Sequence, residues 1–246
     1  MDRTRLANRL RRQAQGLAAL GTAVRHSFEA CEVHELRKLS RRTRATVWVA
    51  RQVTGKDMKD IRARLQALGS ALGERRQLDV AAEDAAEYGI DTAPLLQLFR
   101  AADGRISAEV KSKKMTAICR GLVKAANAVE RSSVNHLPRT AEALEKRLNA
   151  AVNSSGTSKE ALHRVRKEAR RVRYLLEVLG SDLRILKTLQ DYLGRAHDLE
   201  TMQKLLGTNA RATKDERSFA ASARSCMRAV TARALREVTR AVADDG

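Results

Sequence analysis

A basic segment occurs twice in the chain, and this repeat constrains the fold more than any other feature of the sequence. Residues 33–44 read VHELRKLSRRTR, and residues 162–173 read LHRVRKEARRVR. Six positions are identical at the same spacing: His34, Arg37, Lys38, Arg41, Arg42 and Arg44 correspond to His163, Arg166, Lys167, Arg170, Arg171 and Arg173. A repeat of this kind indicates duplication of one structural unit, so the two copies are expected to fold alike.

A second pair of similar segments follows the first. Residues 65–80 (LQALGSALGERRQLDV) and 186–200 (LKTLQDYLGRAHDLE) share an apolar pattern that predicts a helix ending at Leu-Gly, and Arg76 corresponds to His197 in this pairing. We therefore predict a single domain over residues 1–246, with related halves at about residues 1–131 and 132–246. A pseudo-twofold axis between the halves would bring both basic helices to a shared central groove or pore.

The spacing of apolar residues predicts an all-α fold. Helical periodicity runs between breaks at residues 55, 89–94, 132–138, 153–158 and 207–209, which suggests about eight to ten helices. Asp57 and Ser158 precede two of the apolar runs as helix-start residues. Because hydrophobic residues make up 43% of the chain and aromatic residues only 3%, helices packed through small aliphatic contacts are favoured over a sheet.

Each repeated segment forms a two-faced helix if its residues are placed at about 100° per residue. The six repeated side chains then share one face of about 160°, opposite apolar residues such as Leu36 and Val165. Only Glu35 and Glu168 lie close enough to offset the repulsion between the neighbouring cations. Arginine, which predominates, can hold phosphate oxygens in a bidentate manner, and the histidine at the head of each face can donate to an anion. The pair of faces therefore predicts a polyanion-binding site.

A basic helix face has a simpler interpretation as a solvated surface, and the duplication is what favours binding. Trp48 and Tyr174 fall on the basic faces, where they are interpreted equally well as groove walls or as packing residues. Other cations occur on later helices, where a solvated face is the preferred interpretation: Lys111, Lys113, Lys114, Arg120, Lys124, Arg217, Arg224 and Arg228.

Charge and composition limit the class of protein. The chain has 48 Lys and Arg against 29 Asp and Glu, a net charge of +19, which indicates a polyanionic partner. Its three cysteines are far apart, which favours a reducing cytoplasm and neither a disulfide framework nor a zinc finger. No apolar stretch reaches the length of a membrane span, and no leader segment is recognisable, so we expect a cytoplasmic protein that does not contact a membrane.

The motifs of common enzymes are missing from the sequence, so we expect a binding protein that uses no metal and no cofactor. A nucleic acid is the alternative partner, because basic helices serve DNA and RNA equally well. Single-strand binders usually stack bases on aromatic side chains, which are scarce here. A scaffold that binds an acidic protein is a third hypothesis, although no sequence feature favours it.

The repeated segments resemble the CHAD family, the conserved histidine α-helical domain. The resemblance rests on VHELRKLSRRTR, LHRVRKEARRVRYLLE, LGERRQLDV and LGRAHDLE, and it extends from about Ala30 to the last helix. It implies two four-helix bundles related by a pseudo-twofold axis, a basic pore that binds inorganic polyphosphate, and recruitment to polyphosphate granules. The implied ligands are the repeated His, Arg and Lys residues, with Arg76 and His197 as additions. One departure is that Gln77 stands where the family tends to have Asp after the arginine.

Overall fold

The computed structural model describes residues 3–133, 137–154, 158–179 and 184–243. Across these ranges the chain is all-α, with nine α-helices, two short 3-10 helices and no strand, which confirms the predicted fold class. The helices are α1 (Arg3–Ser27), α2 (Ala30–Thr54), α3 (Lys59–Glu87), α4 (Leu96–Glu109), α5 (Ser112–Glu130), α6 (Leu137–Asn153), α7 (Lys159–Leu179), α8 (Lys187–Leu206) and α9 (Ala210–Ala243). The 3-10 helices, Ala93–Leu95 and Arg184–Leu186, directly precede α4 and α8.

Helices α1 to α5 belong to one compact unit, residues 2–135. In it α1 packs against α2 and α5, while α3 packs against α2, α4 and α5. Leucines spaced three or four residues apart supply the core, including Leu10 and Leu17 of α1, Leu36 of α2 and Leu65 of α3, which are fully buried. Each of these side chains contributes about 2–3 kcal/mol through burial, so the basic face of α2 is held in place by the apolar face behind it.

Helices α6 to α9 belong to the second compact unit, residues 136–246. Here α9 packs against α6, α7 and α8, and α7 also packs against α6 and α8. Val165 and Val172 of α7, together with Leu189 and Leu193 of α8, form part of the buried core. The basic helix therefore occupies the same kind of position in each unit, between the same two neighbours in sequence order.

The two units differ in their last helical layer. In the second unit α9 runs unbroken over 34 residues. In the first unit two shorter helices take the place of this long helix. Helix α4 packs against α3, and α5 packs against α1 and α2. The two helices are separated at Val110 and Lys111. The amide of Val110 donates to the carbonyl of Ile106 at the end of α4, and the extended backbone of Lys111 (φ −51°, ψ 138°) precedes α5. The predicted four-helix arrangement thus contains one interrupted helix in the first unit.

Most predicted helix boundaries agree with the structure and have visible caps. Gly55 ends α2 in the left-handed region (φ 64°), with its amide donating to the carbonyl of Arg51 at 2.8 Å. The carboxylate of Asp57 accepts from the amide of Lys59 at 3.0 Å, and the hydroxyl of Ser158 accepts from the amide of Ala161 at 3.2 Å. Parts of the predicted breaks at 132–138 and 153–158 lie outside the described residues.

The prediction that both apolar helices end at Leu-Gly was wrong. Gly73 lies inside α3 and Gly194 inside α8, and each helix continues for more than ten residues. The continuation has a physical cause, because Leu78 and Leu199 are buried beyond the glycines and stabilise the next turns by more than a helical glycine costs, about 1 kcal/mol. Arg76 and His197 therefore lie on regular helix rather than on a turn.

Candidate polyanion-binding surface

The basic face of α2 separates from its apolar face as predicted. Leu36, Thr43 and Val47 are buried, whereas Arg42 and Arg44 are exposed. The other four repeated side chains are half-buried at the edge of this face: His34, Arg37, Lys38 and Arg41. Long basic side chains in such positions usually extend their charged ends into solvent, whereas the Nδ1 atom of His34 is buried.

The basic face of α7 shows the same separation. Val165, Val172 and Leu176 are buried, and His163 and Lys167 are exposed. The remaining four members of this face are half-buried: Arg166, Arg170, Arg171 and Arg173. Each unit therefore presents one row of cations on a helix whose opposite side is held in the core.

Arg76 lies close enough to His34 to influence its protonation. Burial lowers the pKa of His34, and the positive charges of Arg76 and Lys38 lower it further. The Nδ1 atom of His34 is buried and has no hydrogen-bond partner among the described residues. The structure thus groups His34 of α2 with Arg76 of α3, two residues that the sequence placed in the same candidate site.

His163 and His197 form the equivalent pair in the second unit. Their ring centroids lie 6.0 Å apart, and both rings line a small cavity of about 50 Å³ together with Arg166, Glu200 and Glu216. Burial lowers the pKa of His197 to about 4, with the positive charge of Arg166 as the next cause. His197 is therefore a neutral imidazole at neutral pH, although Glu200 lies 3.9 Å from its Nδ1 atom.

The two acidic residues expected near the basic faces do pair with them. The carboxylate of Glu35 accepts from Lys38 at 2.8 Å on the exposed surface of α2. Glu168, which is only 9% exposed, binds Arg171 on α7 and also Arg147 of α6, the latter at 3.2 Å. An exposed pair contributes little to stability, whereas the buried carboxylate of Glu168 fixes the two arginines around it.

The last arginine of each basic face lies against the helix that follows in sequence, α8 for Arg173 and α3 for Arg44. Arg173 donates from Nη1 to the side-chain oxygen of Gln190 on α8 at 2.6 Å. Its counterpart Arg44 approaches Gly69 of α3, where an added Cβ would lie 3.5 Å from Nη1. Gly69 and Gln190 occupy the same position of the second repeated segment, so the two units bring equivalent residues together.

Arg76 forms an ion pair with a carboxylate that the sequence did not predict. Its guanidinium donates to both carboxylate oxygens of Glu83, at 2.9 and 3.4 Å, two turns further along α3. Glu83 therefore orients Arg76, although Gln77 stands where the family tends to have Asp. The neighbouring Arg75 binds Asp79 and Asp103 and lies 4.4 Å above the ring of Phe99, so it supports α3 rather than the exposed face.

Some contacts of the candidate site could not be identified from the sequence. Glu200 and Glu216 meet the histidine pair from α8 and α9, and Arg147 reaches Glu168 from α6. For Glu200 the only signal in the sequence was its position at the acidic end of the segment LGRAHDLE. Trp48 and Tyr174 are both half-buried, and the guanidinium of Arg173 lies 5.9 Å from the ring of Tyr174.

Among the described side chains, no group of three or more His, Cys, Asp or Glu residues is arranged to hold a metal ion. Within the same ranges no helix has both the length and the apolar character that crossing a membrane requires.

The fold and the two basic faces define an all-helical protein of two compact units, each with a histidine-headed cationic helix on its surface. The profile of the CHAD domain matches residues 8–207. Since this match covers most of the sequence, the chain belongs to the CHAD domain family, and the predicted family membership is confirmed.

Solved structures of similar fold agree with this assignment. The CHAD domain from the plant Ricinus communis is 20% identical, with a TM-score of 0.62, and the match covers 92% of this chain and 86% of that one. PptA from Streptomyces chartreusis is 19% identical, with a TM-score of 0.59 and coverage of 96% and 98%. At these identities the likeness establishes the fold. A comparison with curated proteins found no match.

Proposed function

We propose that this CHAD protein binds inorganic polyphosphate through the basic faces of α2 and α7. The observation that carries the proposal is the recurrence of one six-residue cationic face in both units, on helices with equivalent neighbours. Family membership supports it, because the CHAD resemblance implies polyphosphate as the ligand. That both faces line one shared groove or pore stays a prediction from the sequence.

The chemistry of the two faces suits a chain of phosphates. Residues 34–44 extend over about 15 Å of helix at 1.5 Å per residue, so the row of cations is long enough to follow several consecutive phosphate groups. Arginine forks bind phosphate oxygens in pairs, and lysine adds point charges between them. Histidine contributes a donor whose strength increases on protonation.

We further propose that the protein binds without catalysing a reaction. Arginine, lysine and histidine on the two faces supply the donors that recognition of a polyanion requires. Incubation of the purified protein with polyphosphate and a divalent metal ion is expected to release no orthophosphate above the level of a heat-denatured sample. Metal-dependent release of orthophosphate would contradict this proposal.

A nucleic acid is the alternative ligand, favoured by the net charge of +19. Titration with polyphosphate of defined length and with single-stranded RNA, compared at equal charge concentration, separates the two hypotheses. We expect polyphosphate to bind more tightly, to displace the RNA, and to show a strong dependence on salt concentration. Equal or tighter binding of RNA would reject polyphosphate as the ligand.

The location in the cell follows from the same proposal. A cytoplasmic protein that binds polyphosphate is expected to accumulate on polyphosphate granules. Fluorescence microscopy of the tagged chain, in cells with and without polyphosphate synthesis, tests this expectation, because a diffuse signal in both would contradict it.

A further inference from the structure

A groove lies between α1 and α5, on helices that carry none of the repeated basic residues. Its volume is about 540 Å³. The residues that line it recur at intervals of three or four along each helix, from Ala18 to Arg25 on α1 and from Ser112 to Lys124 on α5. One face of each helix therefore borders the groove, which follows α5 for about 18 Å, or roughly three helical turns.

The floor of the groove is apolar and built from small or flexible side chains. A Cβ at Gly21 would lie 2.7 Å from Met115 Cε, the flexible end of a side chain that packs against the backbone of α1 here. Ala18 is exposed, Cys119 is half-buried, and Val123 is 42% exposed. Small residues allow another helix to approach closely, and a methionine side chain adapts to the surface that covers it.

The rim of the groove is positively charged. Arg25, Arg120 and Lys124 are exposed, and no acidic residue is among the residues that line the groove. In the described part of the chain none of these three cations forms an ion pair; Arg25 donates to the hydroxyl of Thr22 instead. The rim therefore has uncompensated positive charge beside an apolar floor.

At the opposite end of the α1–α5 pair, polar side chains join the two helices. There Arg11 of α1 binds the carboxylate of Glu130 of α5 at 2.6 Å and also donates to Asn127 at 2.9 Å. Among the described residues that line the groove end of this antiparallel pair, none has a carboxylate. A ligand that supplies them, together with an apolar surface, would complement both the rim and the floor.

We propose that this groove is a docking site for an acidic amphipathic helix of a partner protein. A helix of about three turns matches its length, and an apolar stripe flanked by Glu or Asp would cover the floor and pair with the rim. A second copy of this chain fits poorly because its net charge is +19. A flat anionic bilayer fits poorly as well, since it cannot enter a concave groove between two helices.

The test uses the whole chain and a fluorescein-labelled synthetic peptide of about 14 residues, with Leu at helical spacing and Glu on both flanks. The control peptide has the same composition in an order that breaks the amphipathic stripe. Fluorescence anisotropy should show the designed peptide binding at least about tenfold more tightly than the control peptide. Equal binding of the two peptides would overturn the proposal, because charge alone would then explain the interaction.

Variants locate the binding surface. Ala18→Trp fills the groove without changing the charge, and the double variant Arg120→Glu with Lys124→Glu reverses the rim. Each is expected to weaken peptide binding at least about tenfold. The double variant Arg217→Glu with Arg228→Glu makes the same change in net charge on exposed residues of α9, and it should bind like the wild type.

A second readout does not depend on affinity. In the spectrum of the chain labelled with ¹³C-methyl methionine, the Met115 signal, assigned with Met115→Leu, should shift when the designed peptide is added.

Vesicles of phosphatidylserine and phosphatidylcholine provide the remaining comparison. Binding of vesicles that is lost in Ala18→Trp, without specific binding of the peptide, would overturn the proposal in favour of a lipid surface.

Discussion

Helices α2 and α7 carry the same six basic residues, but their neighbours differ. Beside His34 of the first unit stands the permanent cation Arg76, whereas beside His163 of the second stands His197, which is neutral at neutral pH. Leu39 of α2 corresponds to Glu168 of α7, which binds Arg171. The repeat has thus kept the cations and changed their surroundings, and the position shared by Arg76 and His197 carries a permanent charge in the first unit only, where Glu83 pairs with it.

The largest expected effect tests whether the two faces bind at all. Replacing Arg37, Arg41, Arg166 and Arg170 by Glu should reduce polyphosphate affinity by at least about a hundredfold, because four phosphate-binding cations become repulsive. Isothermal titration calorimetry measures the affinity, and circular dichroism should show an unchanged helical content. The matched control reverses four exposed arginines elsewhere: Arg62, Arg64, Arg217 and Arg228. Retained affinity in the first variant would place the site elsewhere.

A smaller effect tests the difference between the faces. Arg76→His should weaken polyphosphate binding several-fold, and His197→Arg should strengthen it. The slope of log affinity against log salt concentration is expected to change by about one in opposite directions, since one phosphate contact is lost or gained. The variant with both changes should return close to wild type. If both single changes had the same sign, the proposed difference between the faces would be wrong.

The smallest effect concerns pH. The pKa of His197 is about 4 in the free protein, and bound phosphates favour the imidazolium, so binding should raise it. The complex then binds more protons than the free protein, and affinity should rise, by about threefold, as the pH falls from about 7 to about 5.5. NMR titration of the imidazole with and without polyphosphate measures the pKa directly. The gain should diminish in His197→Gln, and an unchanged pKa would exclude contact between His197 and the ligand.

The sequence predicted the helical class, the repeated basic faces and the helix ends that carry chemical signals. Gly55, Asp57 and Ser158 mark their boundaries because each satisfies backbone groups at a helix end. The break at Phe28 was missed, since a phenylalanine rarely adopts the positive φ of 54° that it has here. The break at Val110 was also missed, because neither Val110 nor Lys111 is a typical turn residue.

Within the candidate site, the sequence predicted which side chains share a helix face but not what meets them from other helices. Glu35 with Lys38 and Glu168 with Arg171 follow from spacing along one helix. The contacts of Arg173 with Gln190 and of Arg147 with Glu168 depend on how helices pack, which periodicity does not encode. The error at the Leu-Gly positions had the same origin, because buried residues beyond the glycines outweighed local preference.

The interruption at Val110 and Lys111 has a consequence for cooperativity within the two units. In a continuous helix such as α9 one hydrogen-bonded ladder joins successive turns, so its interior should open only together with the helices that it packs against. In the first unit α4 can fray or unfold locally while α5 remains packed on α1 and α2, because no hydrogen-bonded ladder spans the break. We therefore expect α4, in the outer layer of the first unit, to exchange its amide protons without global unfolding.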